Sequence, residues 1–207
     1  MTDWYNIWNK QKPETVTEVE RNGWEIMDTA FNDLRIPYVN HFANITTSDS
    51  VLDIGCGTGM LVSKLNCQNK LGVDFSKEQI EFATKQHHDV QFICGNFLDM
   101  QFEKKFDTVI CFSALQYIDS DKTQLFVEKA MSLAKKNVCF FDVPNAHCVE
   151  QNQMIRVSKK PDIGSFTKEW FDRFASKVYV EDWNMPFYRY NHIRYNVRLT
   201  VEVDDIC

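Results

Sequence analysis

The chain has 207 residues, a length that suits one α/β domain with a sizeable buried core. A net charge of −6 and a pI near 5.4 argue against a broad nucleic-acid-binding face, which needs a basic surface. No apolar run reaches the roughly 18 residues of a membrane span, and Met1-Thr2-Asp3-Trp4 lacks the basic-then-apolar layout of a signal peptide. Seven cysteines without a C-x-x-C pair support neither a zinc site nor a disulfide framework. Cys94, Cys111 and Cys139 fall in apolar runs, as small buried thiols of a reducing compartment do. The expected setting is cytoplasmic, with no metal, no membrane and no nucleic acid.

Residues 1–13 hold Trp4, Tyr5, Ile7 and Trp8 ahead of Pro13, an aromatic density that needs a surface to pack on. Thr15-x-x-Glu18 has the form of a capping box. Trp24, Met27, Phe31 and Leu34 follow at helical spacing and predict a helix that Pro37 ends. Thr46 to Ser50 turn into Val51–Ile54, a short buried strand that stops at Gly55-Cys56-Gly57-Thr58-Gly59. Three of the seven glycines lie in these five positions, so backbone freedom is concentrated at one loop. Met60, Leu61, Val62 and Leu65 read as the inner face of a following helix. Strand, glycine loop and helix form the front half of a nucleotide-binding βαβ unit. The dinucleotide fingerprint wants a glycine where Met60 stands, which leaves a nicotinamide-dependent oxidoreductase as the weaker alternative.

Asp53-x-Gly55-x-Gly57-x-Gly59 after a buried strand resembles the first motif of the class I S-adenosylmethionine (SAM)-dependent methyltransferases, of the small-molecule, type 11/25-like kind. The resemblance implies a Rossmann-like α/β fold. Its seven-stranded sheet is mostly parallel, with the last strand antiparallel and helices on both faces. It implies SAM as donor and S-adenosylhomocysteine as product, with Asp53, Gly55, Cys56, Gly57 and Gly59 around the cofactor. It also implies one domain, 1–207, in which residues 1–45 form a helical lid over the core of 46–207. Tyr5 and Trp8 of that lid would reach the substrate.

Leu71-Gly72-Val73-Asp74 is the second strand, and Asp74 stands near where a βαβ unit places its ribose-binding carboxylate, with Phe75 beside it. Ser76-x-x-Gln79 predicts a capping box for a helix through Ile80 and Ala83. Adjacent His87 and His88 point in different directions and read as solvated. Val90–Cys94 is the third strand, followed by Gly95-Asn96-Phe97. The resembled family carries an acid here that bonds the adenine amino group. Asn96 stands in its place with an oxygen that can accept the same bond, and Phe97 is either an adenine-facing ring or core.

Phe106–Phe112 is the fourth strand, introduced by a Phe-Asp pair common in the family. Ligands of open α/β sheets bind beyond the carboxyl ends of the strands. Cys111 and Phe112 are therefore expected at the cofactor, and Gln116 and Tyr117 at the substrate. Asp119 to Asp121 are expected to cap a helix with Phe126, Ala130 and Leu133 inward, and Asn137–Val143 is the fifth strand. The aperiodic stretch 144–166, with Arg156, Lys159 and Lys160, has the character of a functional loop. Thr167 is expected to cap a helix with Trp170, Phe171 and Phe174 on one face, and the strands Lys177–Asp182 and Ile193–Val203 close the sheet. The segment 184–195 faintly resembles methyltransferases of sugar and surface-polysaccharide pathways.

Methyl transfer of this kind is an in-line displacement, so positioning dominates. An oxygen nucleophile also needs a base. His147 after the fifth strand, His192 before the seventh and Tyr117 are the candidates, with Gln116 and Arg194 to orient substrate. The fourth strand lacks the Asn/Asp-Pro-Pro-Tyr/Phe signature, and no Pro-Cys nucleophile is present. Short covering segments point to a small acceptor (a sugar, metabolite or natural-product intermediate) methylated on O or N by a monomer or homodimer. The second alternative is a non-catalytic SAM-binding or interaction protein.

Overall fold

The computed structural model describes residues 4–24, 29–148, 164–186, 188 and 190–202. Met27, Arg156, Lys159 and Lys160 lie outside them. The N-terminal part contributes α1 (Trp4–Asn9), α2 (Glu18–Arg21) and α3 (Thr29–Phe42). The sheet is built from β1 (Ser50–Ile54), β2 (Asn69–Asp74), β3 (Gln91–Cys94), β4 (Phe106–Phe112), β5 (Ala134–Pro144), β6 (Lys177–Asp182) and β7 (Arg194–Thr200). Two further helices, α4 (Lys77–Gln86) and α5 (Thr123–Leu133), complete the regular elements.

The strand order is β3-β2-β1-β4-β5-β7-β6. The first five strands pair in parallel, and β7 runs antiparallel to both β5 and β6. The expected mixed seven-stranded sheet is therefore present. Side chains of a strand alternate between faces, and the core divides accordingly. Leu52, Ile54, Val109 and Cys111 join α5 and the 3₁₀ segment Lys168–Arg173 in one cluster through Phe126, Val127 and Phe171. Val51, Ile110 and Phe112 join α3 and α4 in the other through Phe31, Val39 and Ile80. Asp53 shares the parity of Val51 and so lies on the α3 side of the sheet.

Several local expectations are corrected. Pro37 lies inside α3 rather than at its end. The helix survives the missing N–H because Phe31, Val39 and Phe42 are buried against the sheet. Tertiary burial outweighs the ~3 kcal/mol local penalty. The helix predicted after the glycine loop is a single 3₁₀ turn, Val62–Lys64. Met60, Leu61, Val62 and Leu65 are buried as expected, but α3 fills the layer above them. The capping box is Thr17–Glu20, not Thr15–Glu18. Ser76 caps α4 through the Gln79 N–H, while the Gln79 side chain donates to the Arg21 carbonyl at 2.7 Å. The segment after Thr167 is 3₁₀ and lacks a side-chain cap, and α5 has no side-chain cap from Asp119 to Asp121. His87 is not solvated: its ring meets Glu18 Oε1 at 2.9 Å. Cys94 is exposed, because β3 is an edge strand with one covered face at most.

Candidate active site

A cleft opens at the carboxyl ends of β1, β2 and β4, bordered by the glycine loop, Asp53, Asp74, Phe75, Asn96, Phe97, Phe112 and Tyr117. The loop lies against its neighbours so closely that side chains would not fit. A Cβ on Gly55 (φ +74) would stand 2.4 Å from Ala114 Cβ, and one on Gly57 (φ +55) 2.3 Å from Asn22 Oδ1. The Gly55 and Cys56 amides both donate to the Val73 carbonyl, at 2.8 and 3.1 Å, which folds the loop back over the end of β2.

Asp74 then ties the loop to α4. Its Oδ2 accepts the Gly57 N–H at 2.9 Å and its Oδ1 the Ser76 N–H at 2.8 Å. Burial pushes its pKa up, and the two N–H groups pull it back. Each oxygen keeps a further acceptor position. Asp53 is 1% exposed and its Oδ1 has no hydrogen-bond partner. Burial pushes its carboxyl up to about 7, with the Arg35 charge pulling down and Asp74 pushing up.

Arg35 is the main residue that sequence reasoning missed. Its guanidinium sits in the cleft wall, 4.6 Å from the Phe112 ring centroid and 5.8 Å from that of Trp24. Its Nε has no partner, and the described residues form no ion pair with it. Burial lowers its pKa to about 10, and Asp53 counters most strongly. The signal lay in α3, where Arg35 falls on the apolar stripe of Phe31, Val39 and Phe42. A cation on a core-facing stripe needs a purpose.

The N-terminal segment is bolted to the loop by polar contacts. Asn22 Oδ1 accepts the Thr58 N–H at 3.2 Å, and Thr58 Oγ1 donates to Glu18 Oε1 at 3.0 Å. Ser76 Oγ donates to the Trp8 carbonyl at 2.8 Å, and Arg21 pairs with Glu78. Trp8, Asn22 and Trp24 thereby border the cleft, and Trp8 meets Tyr117 edge-on at 5.7 Å. Tyr5 has its backbone in α1, and its side chain lies outside the described residues.

The other predicted residues divide. Cys56 and Phe75 border the cleft. Asn96 does too, but its Oδ1 accepts the Leu98 N–H and its Nδ2 donates to Asp99 Oδ2. Phe97 borders the cleft and packs edge-on against Phe126 at 5.0 Å. Cys111 does not reach it, since strand alternation turns the thiol into the α5-side core, where burial raises its pKa. Gly59 faces Phe92 instead. His147 and His192 are exposed and lie away from the cleft. The β5–β7 ladder continues to the Pro144–Arg194 pair and carries both histidines past it. Gln116 and Arg194 lie behind the wall, buried and bonded to each other.

A methyltransferase-domain family model matches residues 51–137, the stretch from β1 into β5. The ubiquinone biosynthesis O-methyltransferase of Pasteurella multocida is 30% identical over 131 residues, covering 55% of this chain and 54% of that protein. Its counterpart from Rickettsia bellii is 23% identical over 129 residues, covering 54% and 53%. This chain thus spans about half the length of the curated relatives it matches. Among solved structures, magnesium protoporphyrin IX methyltransferase of Synechocystis PCC 6803 with bound S-adenosylhomocysteine superposes with a TM-score of 0.65. It is 15% identical, covering 96% of this chain and 93% of that one. Residues 51–137 thus match a methyltransferase domain, and the fold of the chain is that of class I SAM-dependent methyltransferases of known structure. The N-methyltransferase NodS of Bradyrhizobium japonicum WM9, also with S-adenosylhomocysteine, shares the fold at a TM-score of 0.68 and 10% identity, covering 98% and 100%. SAM is the cofactor of this class.

The residues present fit that cofactor. A glycine loop that no Cβ could share, an unpartnered buried carboxylate at Asp53 and an unpaired buried guanidinium at Arg35 together make an acceptor, a donor and room for both.

Proposed function

We propose that this chain methylates an oxygen or nitrogen of a small-molecule acceptor, using SAM. The observation that carries the reading is the pair of oppositely charged groups, Asp53 and Arg35, buried in the wall of one cleft together with Asp74. Asp53 suits the α-ammonium of the methionine moiety, Arg35 its α-carboxylate, and Asp74 the two ribose hydroxyls. Asn96 and Phe97, which border the same cleft, are the residues this reading gives to the adenine. When bound, SAM supplies an electrophilic methyl group: the acceptor's lone pair forms the new bond to carbon, and the carbon–sulfur pair leaves with sulfur.

The remaining walls are Trp8, Trp24, Phe112, Tyr117 and Ile118. They favour a compact, partly apolar acceptor and serve to exclude water and orient it. Trp8, Asn22 and Trp24 of the N-terminal segment act as the cover over this cleft. Free thiols such as Cys56 and Cys139 suit a cytoplasmic setting, with the chain working alone or as a homodimer. Met60, buried where the dinucleotide fingerprint needs glycine, weighs against a nicotinamide cofactor.

Calorimetric titration tests the reading. SAM and S-adenosylhomocysteine are expected to bind, and NADH is not. Asp74→Ala is expected to weaken both adenosyl ligands roughly 100-fold, from the loss of two charge-assisted hydrogen bonds. Equal affinity in the variant, or NADH in place of SAM, overturns it.

A further inference from the structure

Behind the acceptor end of the cleft the tips of β4 and β5 carry a buried polar cluster that cofactor binding does not use. Ser113 (φ +57) and Asp142 (φ +60) both stand in the left-handed region, side by side on neighbouring strands. Such backbones cost about 1–3 kcal/mol each and persist where the surroundings hold them. Here the surroundings do. Ser113 Oγ donates to Asp142 Oδ2, and the Tyr188 hydroxyl donates to Asp142 Oδ1. The Asp142 N–H donates to Asn196 Oδ1 at 3.0 Å. Arg194 Nη1 donates to the Asp142 carbonyl at 3.0 Å and to Gln116 Oε1. Gln116 Nε2 in turn donates to the Ser113 carbonyl at 3.0 Å and to Ser113 Oγ at 3.2 Å.

Within this cluster only Ser113 borders the cleft. Its hydroxyl has one hydrogen, given to Asp142, and two lone pairs, one of which faces Gln116. One acceptor position is left, backed by a carboxylate that is 3% exposed. The complement of such a position is an O–H or N–H donor. The relay to Asp142 decides between them: a hydroxyl must give up its proton to become a strong nucleophile, whereas a neutral amine need not. The rings of Trp8, Trp24, Phe112 and Tyr117 suit a flat apolar body.

Resting on the methyltransferase reading, we infer that the acceptor is a hydroxyl on a planar apolar ring, and that Ser113 takes its proton while passing its own to Asp142. The substrate O–H bond breaks and its electron pair stays on oxygen. That proton bonds to Ser113 Oγ as the serine proton moves to Asp142 Oδ2, so one negative charge moves from Asp142 to the substrate oxygen. Tyr188 and Arg194 are positioning residues that hold Asp142 in place.

The probe is 2-naphthol, a compound that becomes strongly acidic when excited by light, added to protein saturated with S-adenosylhomocysteine. Wild-type protein is expected to bind it and, excited beyond the tryptophan band, to show emission from the naphtholate form. Ser113→Ala is expected to weaken 2-naphthol ~3- to 10-fold, the loss of one hydrogen bond. Its methyl ether, which has no proton to give, should change less than ~2-fold, being outside that bond. Emission should revert to the neutral form in both Ser113→Ala and Asp142→Asn. Ser113→Ala keeps the Asp142 contacts to Tyr188 and Arg194, so it decides the matter if Asp142→Asn fails to fold. Intact S-adenosylhomocysteine binding with no naphthol binding, or with naphthol affinity and emission unmoved by Ser113→Ala, overturns this inference alone. Failure of the wild type to bind S-adenosylhomocysteine overturns the methyltransferase reading, and this inference with it.

Discussion

The two ends of the cleft are made differently. The cofactor end comes from one contiguous run, β1 through Phe97, in which the glycine loop, Asp53, Asp74 and Asn96 follow one another along parallel strands. The end proposed for the acceptor is assembled from distant segments: Trp8 and Trp24 from the N-terminal part, Ser113 and Tyr117 after β4, and Asp142 behind them at the end of β5. Neighbouring parallel strands bring their carboxyl ends together by topology alone, so a cofactor site can be encoded locally. A surface for one acceptor needs side chains from several elements, and packing chooses them. The methyltransferase-domain model covers the whole of the first end, whereas Trp8, Trp24 and Asp142 of the second lie outside it.

The largest effect that tests this division is electrostatic. Burial raises Asp53 to about 7, against about 3.9 for an exposed Asp in an unfolded chain. The stability this contributes is full below about pH 4 and is lost as pH rises through about 7, on the order of 4 kcal/mol across that window. Burial raises Asp74 in the same sense. Asp49 and Asp107, whose partners hold them low, act only at more acidic pH. Denaturant titrations of the cofactor-free protein should therefore show stability falling from pH 4 to 7, and Asp53→Asn should flatten that fall. An unchanged slope in the variant would remove Asp53 as the uncompensated charge of the cofactor end.

Next in size is the loop. Gly57→Ala places a Cβ against Asn22 Oδ1 at φ +55, and is expected to cost ~1–2 kcal/mol of stability from backbone strain alone. SAM affinity should fall at least ~10-fold with the displaced loop. Adding Asn22→Gly should recover part of the loss, a coupling that marks direct contact. Strict additivity would mean the N-terminal segment and the loop are independent, and the cover over the cleft is not fastened there.

The smallest effects should come from the exposed histidines. His147→Ala and His192→Ala are each expected to change stability by less than ~0.5 kcal/mol and to leave SAM affinity as it was. A loss of acceptor turnover in either would move the acceptor end toward the β5–β7 turns and away from Ser113.

The sequence by itself determined the sheet, the loop and the two carboxylates. Parallel strands buried on both faces write themselves as apolar runs, and a glycine loop between such runs has few other uses. Asp53, Asp74 and the β4 tip were legible for that reason. Other features depended on contacts across the fold. Pro37 reads as a stop, yet the burial of Phe31 and Phe42 carries α3 through it. Cys111 reads as cleft material, yet strand parity turns it into the core. His147 and His192 read as bases because they follow β5 and precede β7 at the carboxyl edge of the sheet, yet the length of the β5–β7 ladder carries them past the cleft. Arg35, Ser113 and Asp142 acquire meaning only from neighbours far along the chain. Local periodicity reports which residues face a core. What else reaches the same place is settled by how the helices pack and where each ladder ends, and that information is held in tertiary contacts.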